Sequence, residues 1–321
     1  MAERASGYKL VFEFPRMMTD FAIGYLDEPW MPGLDWSTLE LVPGDFVTGD
    51  LQERTNDLLW RVRWTGEDRW LYIYLLVEFQ GAVQWHMAVR MATYEILLYE
   101  QLIRSERVKN GEMLPPIFGI VLYTGEGRWT AARNLADLVE RLPGAEESDH
   151  PRLGYRVLEE KELAKRGLGG VRNLASALFR MKHAKTVEEM LAILGEVAEW
   201  LKAPEQTGLR LALVEWIRRV LLPLRAPHAT LPAMVDLMEA KRVMAEQTID
   251  WGRPWKEEGK KEGLRTGVQK GEATLLIRQM RTKFGPVPRT VQQKIASADA
   301  RTLLKWGDRV LSATRLEEVF E

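Results

Sequence analysis

The chain of 321 residues contains no cysteine. Disulfides, thiolate zinc sites, iron–sulfur clusters and a cysteine nucleophile are therefore excluded. Histidine is scarce: the four present, His86, His150, His183 and His228, show no metal-ligand spacing. The longest apolar run, around residues 71–77, is far too short to span a bilayer. The first nine residues carry no apolar segment of the signal-peptide kind, so a cytoplasmic protein with no membrane attachment is expected. An excess of one charge is missing too. Forty-five basic residues against 46 acidic ones leave a net charge of −1. That excludes a general basic coat for nucleic acid, and any phosphate contact must come from a local patch. There is also no phosphate-cradling glycine loop, because residues 167–170 (Gly-Leu-Gly-Gly) lack the lysine and hydroxyl residue that should follow.

What is present is the mix of a soluble globular chain, 46% hydrophobic and 28% charged, with twelve tryptophans to fill a core. Residues 10–26 have apolar positions at helical spacing, and Pro15 divides them into two pieces. Residues 29–36 are turn-rich, and 39–47 could hold a short strand. Residues 58–64 alternate apolar and polar, 65–68 supply a turn, and 70–79 are aromatic and branched. Together they predict a β-hairpin whose second strand is the more buried. An amphipathic helix is predicted over 84–104, with Met87, Met91, Tyr94, Leu97, Leu98 and Leu102 facing inward. A short buried strand follows at 117–123, then a helix over 134–142 and a further strand at 155–158.

From about residue 167 the pattern becomes helical. Thr186-Val187-Glu188-Glu189 is a capping box opening a helix towards Leu201, and 209–222 is another helix, ended by Pro223. In residues 258–272, Gly259, Gly263, Gly267 and Gly271 recur every fourth position among charges. They read either as a packing stripe on a helix or as a solvated linker, since each glycine costs a helix about 1 kcal/mol relative to alanine. Residues 273–320 read as a small helical unit with a Gly285-Pro286 break. The predicted architecture is α/β, with a mixed sheet core flanked by helices followed by an all-α C-terminal region. Its divisions are a core over 1–165, a helical extension over 166–250, the glycine-ladder linker or helix over 251–272, and a helical C-terminal domain over 273–321.

One constellation carries chemistry. Asp57 opens the first hairpin strand, while Glu78 and Gln80 share one side of the second strand at its end. Antiparallel pairing brings the two carboxylates to the same end of the hairpin. Hard oxygen ligands of this kind suit magnesium, or manganese, which can activate water and stabilise a phosphate under attack. The bland reading is that acidic residues merely flank two strands. Elsewhere, His86 and Arg90 lie one turn apart and could reach a phosphate. Arg61, Arg63 and Arg69, or Arg218-Arg219, could track a nucleic-acid backbone. The plainer reading of each of these groups, and the more common one, is a solvated face.

The chain resembles the recombination-promoting nuclease (putative transposase) family of bacteria, a branch of the PD-(D/E)XK, restriction-endonuclease-like superfamily. The resemblance lies in residues 51–62, with Arg54 and Asp57; in residues 71–80, ending Glu78-Phe79-Gln80; and in residues 114–126, running from Leu114-Pro115-Pro116 to Tyr123-Thr124-Gly125, with Trp129 after them. Most of residues 8–140 can be followed in this way. The C-terminal unit is similar to a small helical domain of unknown function often attached to such proteins, through residues 270–273, 283–288 and 316–320.

The resemblance implies a magnesium-dependent DNA endonuclease linked to recombination or to defence against mobile elements and phage. Asp57 and Glu78 would ligate the metal, and Gln80 would take the place usually held by lysine. Glutamine can hydrogen-bond but brings no charge, so a cation such as Arg54 would have to supply it, unless Arg54 simply pairs with Glu53. Tyr123 ends the matching third strand. Two positions depart from the family. Its usual His-Asp pair ahead of the first helix falls on Ser6 and Gly7, so Glu13 or Asp20 would have to substitute, and Thr124 stands where a histidine commonly follows the tyrosine. The alternative implied by these departures is a catalytically degenerate nuclease fold kept for nucleic-acid binding or self-assembly. DNA is the expected partner, RNA is not separated from it, and homo-oligomerisation through the C-terminal helices is expected.

Overall fold

The computed structural model describes residues 2–42, 57–78, 83–125, 127–140, 143–144, 151–168, 170–226, 234, 236–246 and 252–320. For residues 2–6, 57, 74, 76–78, 252–259, 261, 262, 265 and 266 it describes the backbone alone. The chain forms two compact units, residues 1–250 and 251–321.

The first unit is built on a five-stranded sheet in the order β1-β2-β3-β4-β5. Its strands are β1 (Leu34–Leu41), β2 (Asp57–Trp64), β3 (Trp70–Glu78), β4 (Ile117–Tyr123) and β5 (Arg156–Glu159). The first three strands pair antiparallel, and β3–β4 and β4–β5 pair parallel. The parallel β3–β4 step requires a crossover, which α3 (Met87–Arg104) supplies. Its inner residues Met87, Met91, Tyr94, Leu98 and Leu102 pack with Leu59, Tyr72, Val121 and Tyr123 of the sheet. The alternate sheet residues Trp60, Val62, Ile73, Leu75, Ile120 and Leu122 are buried on the opposite face. There α1 (Ala2–Phe12) and α2 (Pro15–Tyr25) approach β1, β2 and β3. Pro15 is the first residue of α2, and Phe14 before it is extended, as a residue preceding proline must be.

Helices α4 (Glu160–Arg166), α5 (Leu174–His183), α6 (Val187–Trp200), α7 (Thr207–Trp216) and α8 (Leu237–Glu246) complete the unit. Thr186 caps α6 by accepting the Glu189 N–H at 3.1 Å, while Glu189 Oε2 accepts the Lys185 N–H at 2.9 Å. The box seen in the sequence thus closes one residue earlier than its usual form.

Three expectations are corrected. The strand expected over 39–47 starts earlier, as β1, and residues 43–47 lie outside the described ones. Of the helix expected over 134–142, the described residues 134–140 form no regular helix, and 141–142 lie outside the described ones. Asn134 bridges to Gly154 and the Leu135 N–H bonds Leu153, leaving one 3₁₀ turn, Leu135–Leu138. Pro223 does not end its helix either. A π-helical turn, Ile217–Leu221, absorbs the missing donor, and the helix continues over Leu222–Arg225.

The second unit comprises α9 (Gly252–Phe284), α10 (Arg289–Ser297) and α11 (Ala300–Ser312) around Leu276, Met280, Ile295, Leu303, Trp306, Val310 and Val319. Gly285, at φ +85°, terminates α9 in the left-handed region. Lys283 Nζ donates to the Val310 and Leu311 carbonyls at 2.7 and 2.8 Å, satisfying the end of α11. The glycine ladder lies inside α9, so the backbone there is helical. A β-carbon at Gly263, Gly267 or Gly271 would meet nothing within 4 Å. Among the described residues, no helix is long and apolar enough to cross a membrane.

Candidate active site

The strand register assembles the candidate site. Asp57 lies opposite Leu76 across β2–β3, so Glu78, two residues further, is its diagonal neighbour on the same face. Such diagonals separate Cα atoms by about 7–8 Å, within reach of two carboxylates sharing one cation. Glu78 is in turn paired with Tyr123 across β3–β4, and Tyr123 with Glu159 across β4–β5. The ends of three parallel strands therefore present Glu78, Tyr123 and Glu159 in one row on the α3 face. The C-terminal edge of parallel strands is where open α/β sheets bind their ligands.

Tyr123 is buried, and its ring meets that of Trp129 edge-on at 5.2 Å. A β-carbon at Gly125 would overlap the Tyr123 hydroxyl, so the turn after β4 needs glycine to admit this ring. The Trp129 N–H donates to Glu159 Oε1 at 3.2 Å. Glu159 had no place in the sequence reading. Its signal was the same as that of Glu78, a carboxylate directly after the last apolar residue of a short strand. Arg54 and Gln80 lie outside the described residues, as do the side chains of Asp57 and Glu78. Among the described residues no three histidine or acidic side chains cluster as a metal site.

The other acidic candidates are engaged elsewhere. Asp20 Oδ2 accepts the Leu174 N–H at 2.7 Å, and its carbonyl accepts from Asn173 Nδ2 at 2.5 Å, which fastens α2 to the start of α5. Arg16 also pairs with Asp20 at 3.2 Å. Glu13, in the break between α1 and α2, lies 3.9 Å from Lys9. At Gly7, where the family's aspartate falls, a β-carbon would stand 2.6 Å from Val220 Cγ2, so α1 approaches the π turn too closely for a larger residue.

The arginine groups are self-neutralised. Arg61 pairs with Glu40, Arg63 with Asp68 at 3.0 Å, and Arg69 with Glu67. Arg61 and Arg63 also lie 4.2 and 4.5 Å from the Trp70 ring. Arg218 and Arg219 share Glu215, and their hydrogen bonds hold its carboxyl down at about 2. Two buried carboxyls were also missed. Glu160 accepts from Tyr8 at 2.5 Å and pairs with Lys182. Glu95, on α3 against Gly119, has no hydrogen-bond partner among the described residues, and burial pushes it up to about 7.

The chain belongs to the family described as "Putative transposase, YhgA-like", whose model matches residues 7–210. It is 30% identical over 118 residues to recombination-promoting nuclease RpnA of Escherichia coli (strain K12), a match covering 37% of this chain and 38% of that protein. It is 27% identical over 119 residues to the inactive recombination-promoting nuclease-like protein RpnE of the same strain, with the same shares covered. The chain thus spans well under half the length of the curated relatives it matches. No solved structure matches it.

Proposed function

We propose that this family member is a magnesium- or manganese-dependent endodeoxyribonuclease acting in the cytoplasm, in recombination or in defence against mobile DNA. The observation that carries the reading is the register that makes Asp57 and Glu78 diagonal neighbours on one face at the sheet's C-terminal edge. Both are hard oxygen donors, and one relative is named a nuclease. The divalent ion, when bound, supplies charge stabilisation at the scissile phosphate and a more acidic water. Asp57 and Glu78 would hold it. Gln80, two residues beyond Glu78, would orient the attacking water by hydrogen bonding, and Arg54 would meet phosphate charge.

Plasmid nicking with and without magnesium tests this. Wild-type protein should convert supercoiled to open-circular DNA only with the ion. Asp57→Ala or Glu78→Ala should cost on the order of 10²–10⁴-fold, the several kcal/mol that a metal's charge contributes. Equal nicking by both variants would sink the proposal, and a labelled RNA of the same sequence serves as the substrate control.

A second reading is favoured by Gly7, where the position of the usual acid is filled by close helix packing. It holds that the fold is catalytically degenerate and acts in binding or in self-assembly through the C-terminal helices. One relative is named inactive, which agrees with this reading. DNA retention without nicking under any divalent ion would favour it.

A further inference from the structure

At the start of α3 lies a cleft of about 480 Å³, lined by Gln84, Trp85, His86, Val89, Arg90 and Thr93. Trp85 is 62% exposed and Val89 43% exposed, an uncommon display for so large an apolar ring. None of these lining residues is acidic. Arg90 is oriented from below, its Nε donating to the buried Tyr94 hydroxyl at 3.2 Å and its guanidinium lying 5.7 Å from that ring. His86 precedes the first helical residue with a side chain that makes no cap bond. The cleft therefore joins a flat aromatic face, a fixed cation and an imidazole able to donate to an oxyanion.

Its place in the fold matters as much as its chemistry. α3 follows β3 by eight residues and returns the chain to the start of the parallel β4, so it begins toward the C-terminal edge of the strands. Trp85 is seven residues from Glu78, and that length of chain spans at most about 25 Å. A strand whose phosphate lies at Glu78 can place another of its nucleotides in this cleft.

We infer that the cleft is a subsite for an unstacked nucleotide of single-stranded DNA, its base stacked on Trp85 and its phosphate held by Arg90 and His86. The inference rests on the nuclease reading for the choice of ligand. The volume falls within the roughly 300–1,000 Å³ of small-ligand sites. Aromatic stacking with an adjacent cation is the general means of holding single strands irrespective of sequence. The cleft gives the substrate a shape, DNA with at least one base out of the duplex.

The test is fluorescence anisotropy of the full-length chain in metal-free buffer with three labelled 12-mers: oligothymidylate, an abasic strand of equal length, and a duplex. Oligothymidylate should bind tightest. Trp85→Ala should weaken it by about 5- to 150-fold, the factor that base stacking carries, and should leave abasic binding nearly unchanged. Trp85→Phe should restore most of the loss. Arg90→Ala should weaken both single strands and lower the salt slope by about 0.7, as the loss of one phosphate contact does.

Undiminished binding by Trp85→Ala, equal affinity for all three ligands, or no binding would each overturn the inference. So would a Trp85→Ala variant that binds DNA as wild type but has a lower molar mass by light scattering, which would make this face a self-association surface. Plasmid nicking is decided separately. Nicking with Trp85→Ala indistinguishable from wild type in binding removes the subsite alone, and base-dependent binding without nicking removes the nuclease reading alone.

Discussion

Glu159 and Glu160 are neighbours in the chain and serve opposite faces of the sheet. Glu159 ends β5 on the α3 side, half-buried, accepting the Trp129 N–H in the row with Tyr123 and Glu78. Glu160 opens α4 fully buried, where Tyr8 of α1 and Lys182 of α5 satisfy it and Arg225 donates to the Lys182 carbonyl at 2.5 Å. A carboxylate has about four acceptor positions. At Glu160 the protein supplies a donor of its own to each oxygen, the Tyr8 hydroxyl and the Lys182 ammonium, and the result is a knot joining α1, α4, α5 and the end of the α7 segment. Glu159 keeps acceptor capacity at a strand end open to a ligand. One residue of phase along the chain separates a tertiary fastener from a candidate site.

The contrast breaks most visibly on the buried side. Lys182→Met leaves Glu160 charged without its cation and should lower the unfolding free energy in urea by about 3–5 kcal/mol. The double variant Glu160→Gln/Lys182→Met should recover most of that, since removing both charges also removes their desolvation cost. If Lys182→Met costs under 1 kcal/mol, the knot is not what holds the helices together.

Glu95 sharpens the comparison because it is buried like Glu160 but has no hydrogen-bond partner among the described residues. A β-carbon at Gly119 would stand 3.2 Å from its Oε1, and burial, followed by the Glu95 charge, raises the Tyr99 hydroxyl. Its folded-state value of about 7 exceeds the ordinary 4.5. Below about pH 4.5 the group is neutral folded or unfolded and costs nothing. Between 4.5 and 7 the unfolded chain releases the proton first, so stability falls with rising pH, and above 7 the loss is complete. Glu95→Gln should therefore gain up to about 3 kcal/mol above pH 7 and nothing below 4.5. Urea midpoints at pH 4.5 and 8 check the sign, and an equal gain at both would refute it.

On the open side, Glu159→Ala loses one half-buried hydrogen bond and should cost only about 1 kcal/mol of stability. Glu159→Gln keeps the acceptor for Trp129 and should cost less. A loss for the glutamine variant as large as that of Lys182→Met would show that Glu159 is a fastener too.

These differences explain what could be read beforehand. The hairpin, the proline-led β4 and most of the inner face of α3 were legible because period-2 and period-3.6 burial are local patterns, while Leu97, expected inward, is only half-buried. Diagonal placement of Asp57 and Glu78 followed from the hairpin. Glu159 was not legible, because β5 has four residues and its parallel register against β4 is fixed across more than thirty intervening positions. The same holds for Gly7, whose meaning depends on Val220, and for residues 134–140, where the distant bridge to Gly154 overrode a helical pattern. The helix over 207–225 was cut short at Pro223 because a π turn leaves no local mark.

The smallest effect belongs to the glycine ladder, where the two sequence readings can still be separated. The backbone is helical through Gly263, Gly267 and Gly271, and a methyl group at any of them meets open space within this chain. Alanine should then stabilise α9 by up to about 1 kcal/mol per site, through backbone entropy alone. A solvated helix predicts that gain with no change in molar mass by light scattering. A stripe on which a second copy packs predicts the reverse, since the added methyl groups would hold the partner helix away. Gain in stability with loss of oligomer would locate self-association on this stripe, and gain without loss would leave α9 an exposed spacer.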